Sequence, residues 1–189
     1  LTGARIGQFY LFCGGRDSSD VERADCYAYY PDTNTFKMAG NMTMPRYNHK
    51  NALILNDMMF ITGGWNSNDG LLKSTEVISL EANNLLTTSG PDLPVAIEGH
   101  SMTMLDSRNG IIIGGWDGNN VVNTCTYFTI ASNNQIKLTE APSLKQGRWH
   151  HASATLTYEG KKYVVTAGGS YNGYLSSTEI LPEGSSEWI

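Results

Sequence analysis

The chain has 189 residues, a mass of 20.7 kDa and a formal net charge of −5, with 40% hydrophobic and 16% charged residues. That apolar fraction is too high for a disordered chain, and no apolar run approaches the ~20 residues a membrane-spanning helix needs. Thirteen basic residues against 18 acidic ones, with no basic cluster beyond Lys161-Lys162, exclude an electrostatic footprint for nucleic acid or an anionic membrane surface. The first residues carry no basic segment followed by an apolar one, so any targeting signal lies outside them.

Taken in chain order, short apolar strands are predicted at Phe9 to Cys13, Met58 to Thr62, Gly110 to Ile113 and Tyr163 to Ala167, each ending on a Gly-Gly pair. The pairs are Gly14-Gly15, Gly63-Gly64, Gly114-Gly115 and Gly168-Gly169, and their first members are 49, 51 and 54 residues apart. Glycine at a strand end supplies a positive φ or a close backbone approach that a side chain would obstruct. After a polar loop each repeat offers a second strand: Ala24 to Tyr30, Thr75 to Leu80, Asn123 to Ile130 and Ser177 to Leu181. Turn-rich segments follow at Pro31 to Asn34, Glu81 to Asn84, Ala131 to Asn134 and Pro182 to Ser186, each leading to a bulky residue, Phe36, Leu85, Ile136 or Trp188.

A histidine opens a further strand ahead of three of the pairs. His49 and His100 stand 14 residues before Gly63 and Gly114, while His151 stands 17 before Gly168 because of a loop insertion at Tyr158 to Lys162. Helical periodicity of useful length is absent, so the expectation is an all-β chain of four repeats, about 1–45, 46–96, 97–146 and 147–189, each of about four antiparallel strands.

Four-stranded units at this period, with phased Gly-Gly pairs and an aromatic or apolar residue in the second strand (Tyr29, Ile78, Phe128, Ile180), resemble the kelch family of β-propeller blades over essentially the whole chain. The stretch Tyr29 to Phe36 is similar to the family's usual tyrosine-to-tryptophan segment; Leu85 and Ile136 depart from the tryptophan. The resemblance implies one kelch propeller domain, with the four repeats forming a segment of a larger, about six-bladed ring. Further blades, or another chain, would then complete it, because an open arc leaves unpaired edges.

The resemblance also implies that the loops leading into each first strand and the loops after Gly-Gly emerge on one face that binds a protein or peptide. Residues for such contacts are Arg46 and Tyr47, Glu98, and Arg148 and Trp149 from the first set, with Arg16, Trp65, Trp116 and Tyr171 from the second. Arg, Trp and Tyr dominate interface hot spots because they bury large area and keep a polar handle. Arg46 and Arg148 have a competing role, holding loop carbonyls within the repeat. His49, His100 and His151 occupy equivalent positions, the arrangement from which a metal site can be built; hydrogen bonding within each blade is the preferred reading, and neither metal nor cofactor is expected.

No nucleophile motif, phosphate-binding loop or isolated carboxylate pair appears, so no enzyme is predicted. The Tyr, His and Cys-Tyr constellation of copper-dependent oxidase propellers cannot be matched residue by residue. Cys13 and Cys26 flank the hairpin around the first Gly-Gly, where a disulfide and two thiols are the alternatives; Cys125 reads as a small buried hydrophobe. Asn41-Met42-Thr43 is an N-glycosylation acceptor that counts if the chain is secreted. The fourth repeat looks like those of secreted kelch proteins, which favours an extracellular or matrix interaction module. The alternative is an intracellular ubiquitin-ligase adaptor or actin-binding propeller, which the first repeat resembles more. Reduced thiols and an unmodified Asn41 would favour that alternative.

Overall fold

A computed structural model of the chain describes residues 1–81 and 84–189. The described residues contain strands and no helix. The first sheet orders β1 (Thr2–Ile6), β2 (Phe9–Cys13), β3 (Asp25–Tyr30) and β4 (Thr35–Asn41), and the second orders β5 (Lys50–Ile54), β6 (Met58–Thr62), β9 (Thr75–Glu81) and β10 (Asn84–Ser89). Within the loop between β6 and β9 a two-stranded ribbon forms from β7 (Trp65–Asn66) and β8 (Gly70–Leu71). The third sheet orders β11 (Ser101–Met104), β12 (Asn109–Ile113), β13 (Cys125–Ile130) and β14 (Ile136–Ala141). The fourth orders β15 (Ala152–Tyr158), β16 (Lys161–Ala167) and β17 (Thr178–Pro182), beside which Ile189 exchanges both backbone hydrogen bonds with Ile180. Every pairing is antiparallel between strands consecutive in the sheet order, as short strands joined by tight turns allow. The predicted turn Glu81 to Asn84 includes Ala82 and Asn83, which lie outside the described residues.

The register corrects three details of the sequence reading. Counting from Cys26, Thr75, Cys125 and Thr178, which face the strand before Gly-Gly, the residue matching Tyr29, Ile78 and Phe128 in the fourth repeat is Leu181 and not Ile180. Leu181 is buried while Ile180 is exposed, because the two face opposite sides of the sheet. The bulky position of Phe36 and Trp188 is taken by Thr87 and Leu138, two residues beyond Leu85 and Ile136. A two-residue slip keeps the same face, so periodicity alone cannot detect it. The insertion at Tyr158 to Lys162 adds no loop: it lengthens β15 and β16 to 7 residues each, and Glu159 and Gly160 turn between them with φ of 49° and 74°.

The chain divides into two compact units, Leu1–Ala96 and Ile97–Ile189, each holding two sheets. In the first, Ile6, Leu11, Cys13 and Ala28 of the first sheet, with Met42 just after it, pack on Met59, Ile61 and Ile78 of the second. In the second, Ile111, Ile113, Cys125 and Leu144 pack on Val164, Leu181 and Trp188. Each such aliphatic side chain contributes roughly 1.5–3 kcal/mol on full burial, so these interfaces, and not strand propensity, hold the sheets together. Trp188 is fully enclosed and its indole N–H donates to Pro142 O at 2.8 Å.

Both glycines of each pair have positive φ, near 60–70° for the first and 87–113° for the second. Added to Gly64 or Gly169, a Cβ would lie 2.6 Å from the carbonyl oxygen of Tyr47 or Trp149 and within 3 Å of the Cβ of His49 or His151. Added to Gly14, it would strike the His49 ring. The second glycine therefore lets the first strand of its own sheet approach, and Gly14 seats the histidine of the next repeat.

Candidate functional site

The loops that follow Gly-Gly are tied to the segments that lead into the first strands. Tyr47 and Trp65 exchange both backbone hydrogen bonds, as do Glu98 and Trp116, and Trp149 and Ser170. These bridges place the predicted loop residues together at the Gly-Gly end of each sheet.

In the first unit, the Arg16 guanidinium lies 3.8 Å from the centre of the Tyr47 ring and 5.7 Å from that of Trp65, and the two rings meet edge to face at 5.6 Å. Glu22 holds Arg16 at 3.2 Å and accepts a hydrogen bond from Ser67 at 3.0 Å. The result is a fixed cation–aromatic group with both rings half-buried. In the second unit, Trp149 packs at a tilt of 39° against Trp116, with ring centres 5.9 Å apart, and against His150 at 4.4 Å. A groove of about 410 Å³ lies beside them, lined by Trp149, His150, Gly169, Ser170, Gly173 and Tyr174. Tyr171 is exposed on the same loop, and Glu98 is half-buried beside Trp116.

The residue before each first-strand histidine is left-handed: Asn48 at φ 53°, Gly99 at 59° and His150 at 52°. Glycine adopts this region freely, and Asn and His enter it more often than most other residues, at some cost in strain. A Cβ on Gly99 would meet the rings of His150 and Trp149 at 3.2–3.3 Å, so glycine there makes room for both.

Arg46 and Arg148 do not belong to the exposed face, which corrects the sequence assignment; both are completely buried. Arg46 donates to Gly63 O, Ser74 O and Ser74 Oγ and pairs with Glu76 at 2.6 Å. Arg148 repeats this set on Gly168 O, Ser177 O and Ser177 Oγ, with Glu179 at 2.9 Å. Each glutamate also accepts two backbone amides from the segment ahead of its arginine, Thr43 and Met44 for Glu76, and Lys145 and Gln146 for Glu179. The arginines thus clasp the strand end before and after Gly-Gly, the role that competed with partner contact. Burial lowers the pKa of Arg46, and Glu76 opposes that shift. The signal was present in the sequence: both arginines accompany a Ser-Thr-Glu run, whereas the third repeat has Ile97 with Thr124, Cys125 and Thr126.

The histidines are buried within their units. Burial pushes His49 down to about 3, so its ring is neutral, and Ser101 Oγ lies 2.7 Å from His151 Nε2. Among the described residues no group of three His, Cys, Asp or Glu side chains is placed to hold a metal ion. Cys13 and Cys26 form a disulfide between directly opposed residues of β2 and β3, with Cα atoms 4.1 Å apart. Cys125 is a free, buried thiol whose pKa burial pushes up to about 12. Asn41 is exposed at the end of β4. Sequence reasoning missed Tyr174 and the supporting pair Glu22 and Ser67; Tyr174 is almost wholly exposed in a loop that Gly173 turns.

The antiparallel repeats closed by Gly-Gly pairs, the first seating His49 of the second and the third seating His151 of the fourth, define a protein built of kelch blades. Over residues 2–189 the chain matches the family described as the KLHDC2/KLHL20/DRC7 Kelch-repeats domain. It belongs to the kelch-repeat family, whose domains typically bind protein partners and are generally not catalytic. No curated protein matches it.

Proposed function

We propose that this chain is a non-catalytic interaction module that binds a protein or peptide through the aromatic loops at the Gly-Gly end of its blades. The observation that carries the reading is the pair of preassembled groups, Arg16–Tyr47–Trp65 and Trp116–Trp149–His150. Backbone bridges hold the half-buried rings of Tyr47, Trp65, Trp116 and Trp149 in place, so little side-chain freedom is left to lose on binding. Tyr171, Tyr174 and Glu98 extend the surface.

The proposal includes an extracellular setting. The Cys13–Cys26 disulfide supports it, because such bonds persist in oxidising compartments, and the exposed Asn41 sequon suits it. These features favour a secreted or matrix module over an intracellular ligase adaptor or actin-binding propeller. It also includes further blades. The face of the first sheet that matches the buried faces of the second and fourth is open and apolar, with Phe36 and Met38 about 60% exposed and a groove of about 660 Å³ beside Phe12, Tyr27 and Phe36. A neighbouring blade is the surface that covers this position elsewhere in the chain.

The test is selection of displayed 12-residue peptides on the native chain, followed by titration of the selected peptides against Trp65→Ala, Trp149→Ala and, at the opposite end of the blades, Tyr158→Ala. A tenfold or larger loss with at least one tryptophan variant and none with Tyr158→Ala is expected. Peptides whose affinity no tryptophan variant alters would refute the assignment.

A further inference from the structure

At the hairpin end, opposite the Gly-Gly loops, the second unit contains a cavity of about 300 Å³ between its two sheets. The first unit has the same interface and fills it. There Phe9 and Tyr30 face one another across β2 and β3 with ring centres 5.4 Å apart, and both pack on the core with Leu80. The register puts Asn109 at the position of Phe9, Thr129 at that of Tyr30 and Glu183 at that of Leu80. Two aromatic rings and a leucine have given way to three smaller or polar side chains, with the sheets still packed.

Leu105, Tyr127, Val164 and Leu181 supply apolar walls, and Thr139 adds a hydroxyl on the side of the third sheet. Asn109 is half-buried and Thr129 exposed at the rim, and the two side chains are turned toward each other. Thr129 Oγ1 donates to Asn109 Oδ1 at 2.9 Å, and the Asn109 amide donates to both Asp106 oxygens at 2.9–3.0 Å. Satisfied in this way, they offer a flat polar edge and not unpaired groups that require water. At the mouth stand Asp106, Lys162 and Glu183, whose mixed signs suit a neutral ligand with a polar substituent. An apolar cavity of ~150 Å³ is enough to bind benzene, so this one has space for a fused or substituted ring.

We infer that the cavity between the third and fourth sheets binds a neutral aromatic molecule, one fused or substituted ring system with a polar substituent directed to the mouth. This site is separate from the loop face and does not depend on the role proposed for it.

The experiment titrates indole, and cyclohexanol as a non-aromatic control, into the full chain carrying labelled Ile, Leu and Val methyl groups. For a probe of about nine heavy atoms, millimolar affinity is expected. Saturable shifts at the Leu105, Val164 and Leu181 methyls are predicted, with cyclohexanol at least tenfold weaker. Asn109→Phe with Thr129→Tyr, which restores the residues of the first unit, should abolish the shifts; Thr129→Tyr alone serves if the double variant does not fold. N-acetyl-tyrosinamide distinguishes the sources: binding at least as tight as indole assigns the site to an aromatic side chain of a partner segment, and exclusion with indole bound assigns it to a free small molecule. No saturable shifts, equal binding of cyclohexanol, or unchanged binding by the folded filled variant would overturn the inference.

Discussion

The Arg46–Glu76 pair gives the sharpest prediction about what holds a blade together. Arg46 is fully buried and its partner nearly so, so replacing Arg46 by Ile strands a carboxylate away from water with only the Thr43 and Met44 amides to satisfy it. Removing one member of a buried pair costs about 3–5 kcal/mol. For a chain of this length each kcal/mol shifts Tm by roughly 2–4 °C, so a drop of roughly 6–20 °C is expected. The third repeat supplies the control, since it carries Pro94, Ile97 and Thr126 at the positions of Thr43, Arg46 and Glu76. There one amide donor, the cation and the anion have been exchanged together. The triple variant Thr43→Pro, Arg46→Ile, Glu76→Thr should therefore recover at least half of the loss caused by Arg46→Ile alone, measured by urea denaturation followed through tryptophan fluorescence and circular dichroism. A loss below about 1 kcal/mol for Arg46→Ile, or a triple variant no better than the single one, would refute the clasp.

Four other outcomes follow from buried or crowded groups. His49 is neutral when folded, with its pKa pushed by burial down to about 3 from 6.5; the unfolded chain takes up the proton first, so this contribution to stability is complete above about pH 6.5 and is lost as pH falls toward 3. His49→Phe should flatten the dependence of the urea midpoint between pH 7 and 4 relative to the parent chain, and parallel curves would contradict the assignment. The Cys13–Cys26 bond closes a short loop, with a sequence separation of 13, so reduction should lower stability by about 3 kcal/mol, read from denaturation with and without reductant. Cys125, with its thiol raised to about 12 by burial, should resist iodoacetamide in the native protein and react in urea, as intact mass would record. Gly64→Ala forces a side chain into φ 97° and against the Tyr47 carbonyl; a loss of more than ~2 kcal/mol is expected, and a variant of unchanged Tm would remove close approach as the reason for the second glycine.

Much of the fold was legible because glycine has few substitutes where φ is positive. Four phased pairs fixed the period, and the strands around them followed within a residue or two. What remained hidden depended on register and on pairs distant in sequence. Leu85 and Thr87 lie on the same face of one strand, so spacing could not say that Thr87, and not Leu85, matches Phe36. Leu181 was missed because Ile180 is equally apolar, and only its pairing opposite Val165 shows that it faces outward. Arg46 and Arg148 have the composition of a hot spot and the position of a loop; their burial follows from Glu76 and Glu179, about thirty residues downstream. The cavity in the second unit required comparison of two interfaces, since Asn109 and Thr129 read as ordinary strand-end residues until set against Phe9 and Tyr30.

The most direct test of the account is hydrogen–deuterium exchange on the native chain, free and bound to a selected peptide. The account predicts protection of amides in the Gly-Gly-end loops, around Tyr47, Trp65, Trp116, Trp149 and Ser170 to Tyr174, with the hairpin turns at Asp57, Arg108 and Gly160 unchanged. Protection confined to those turns would contradict it and move the binding surface to the opposite end of the blades.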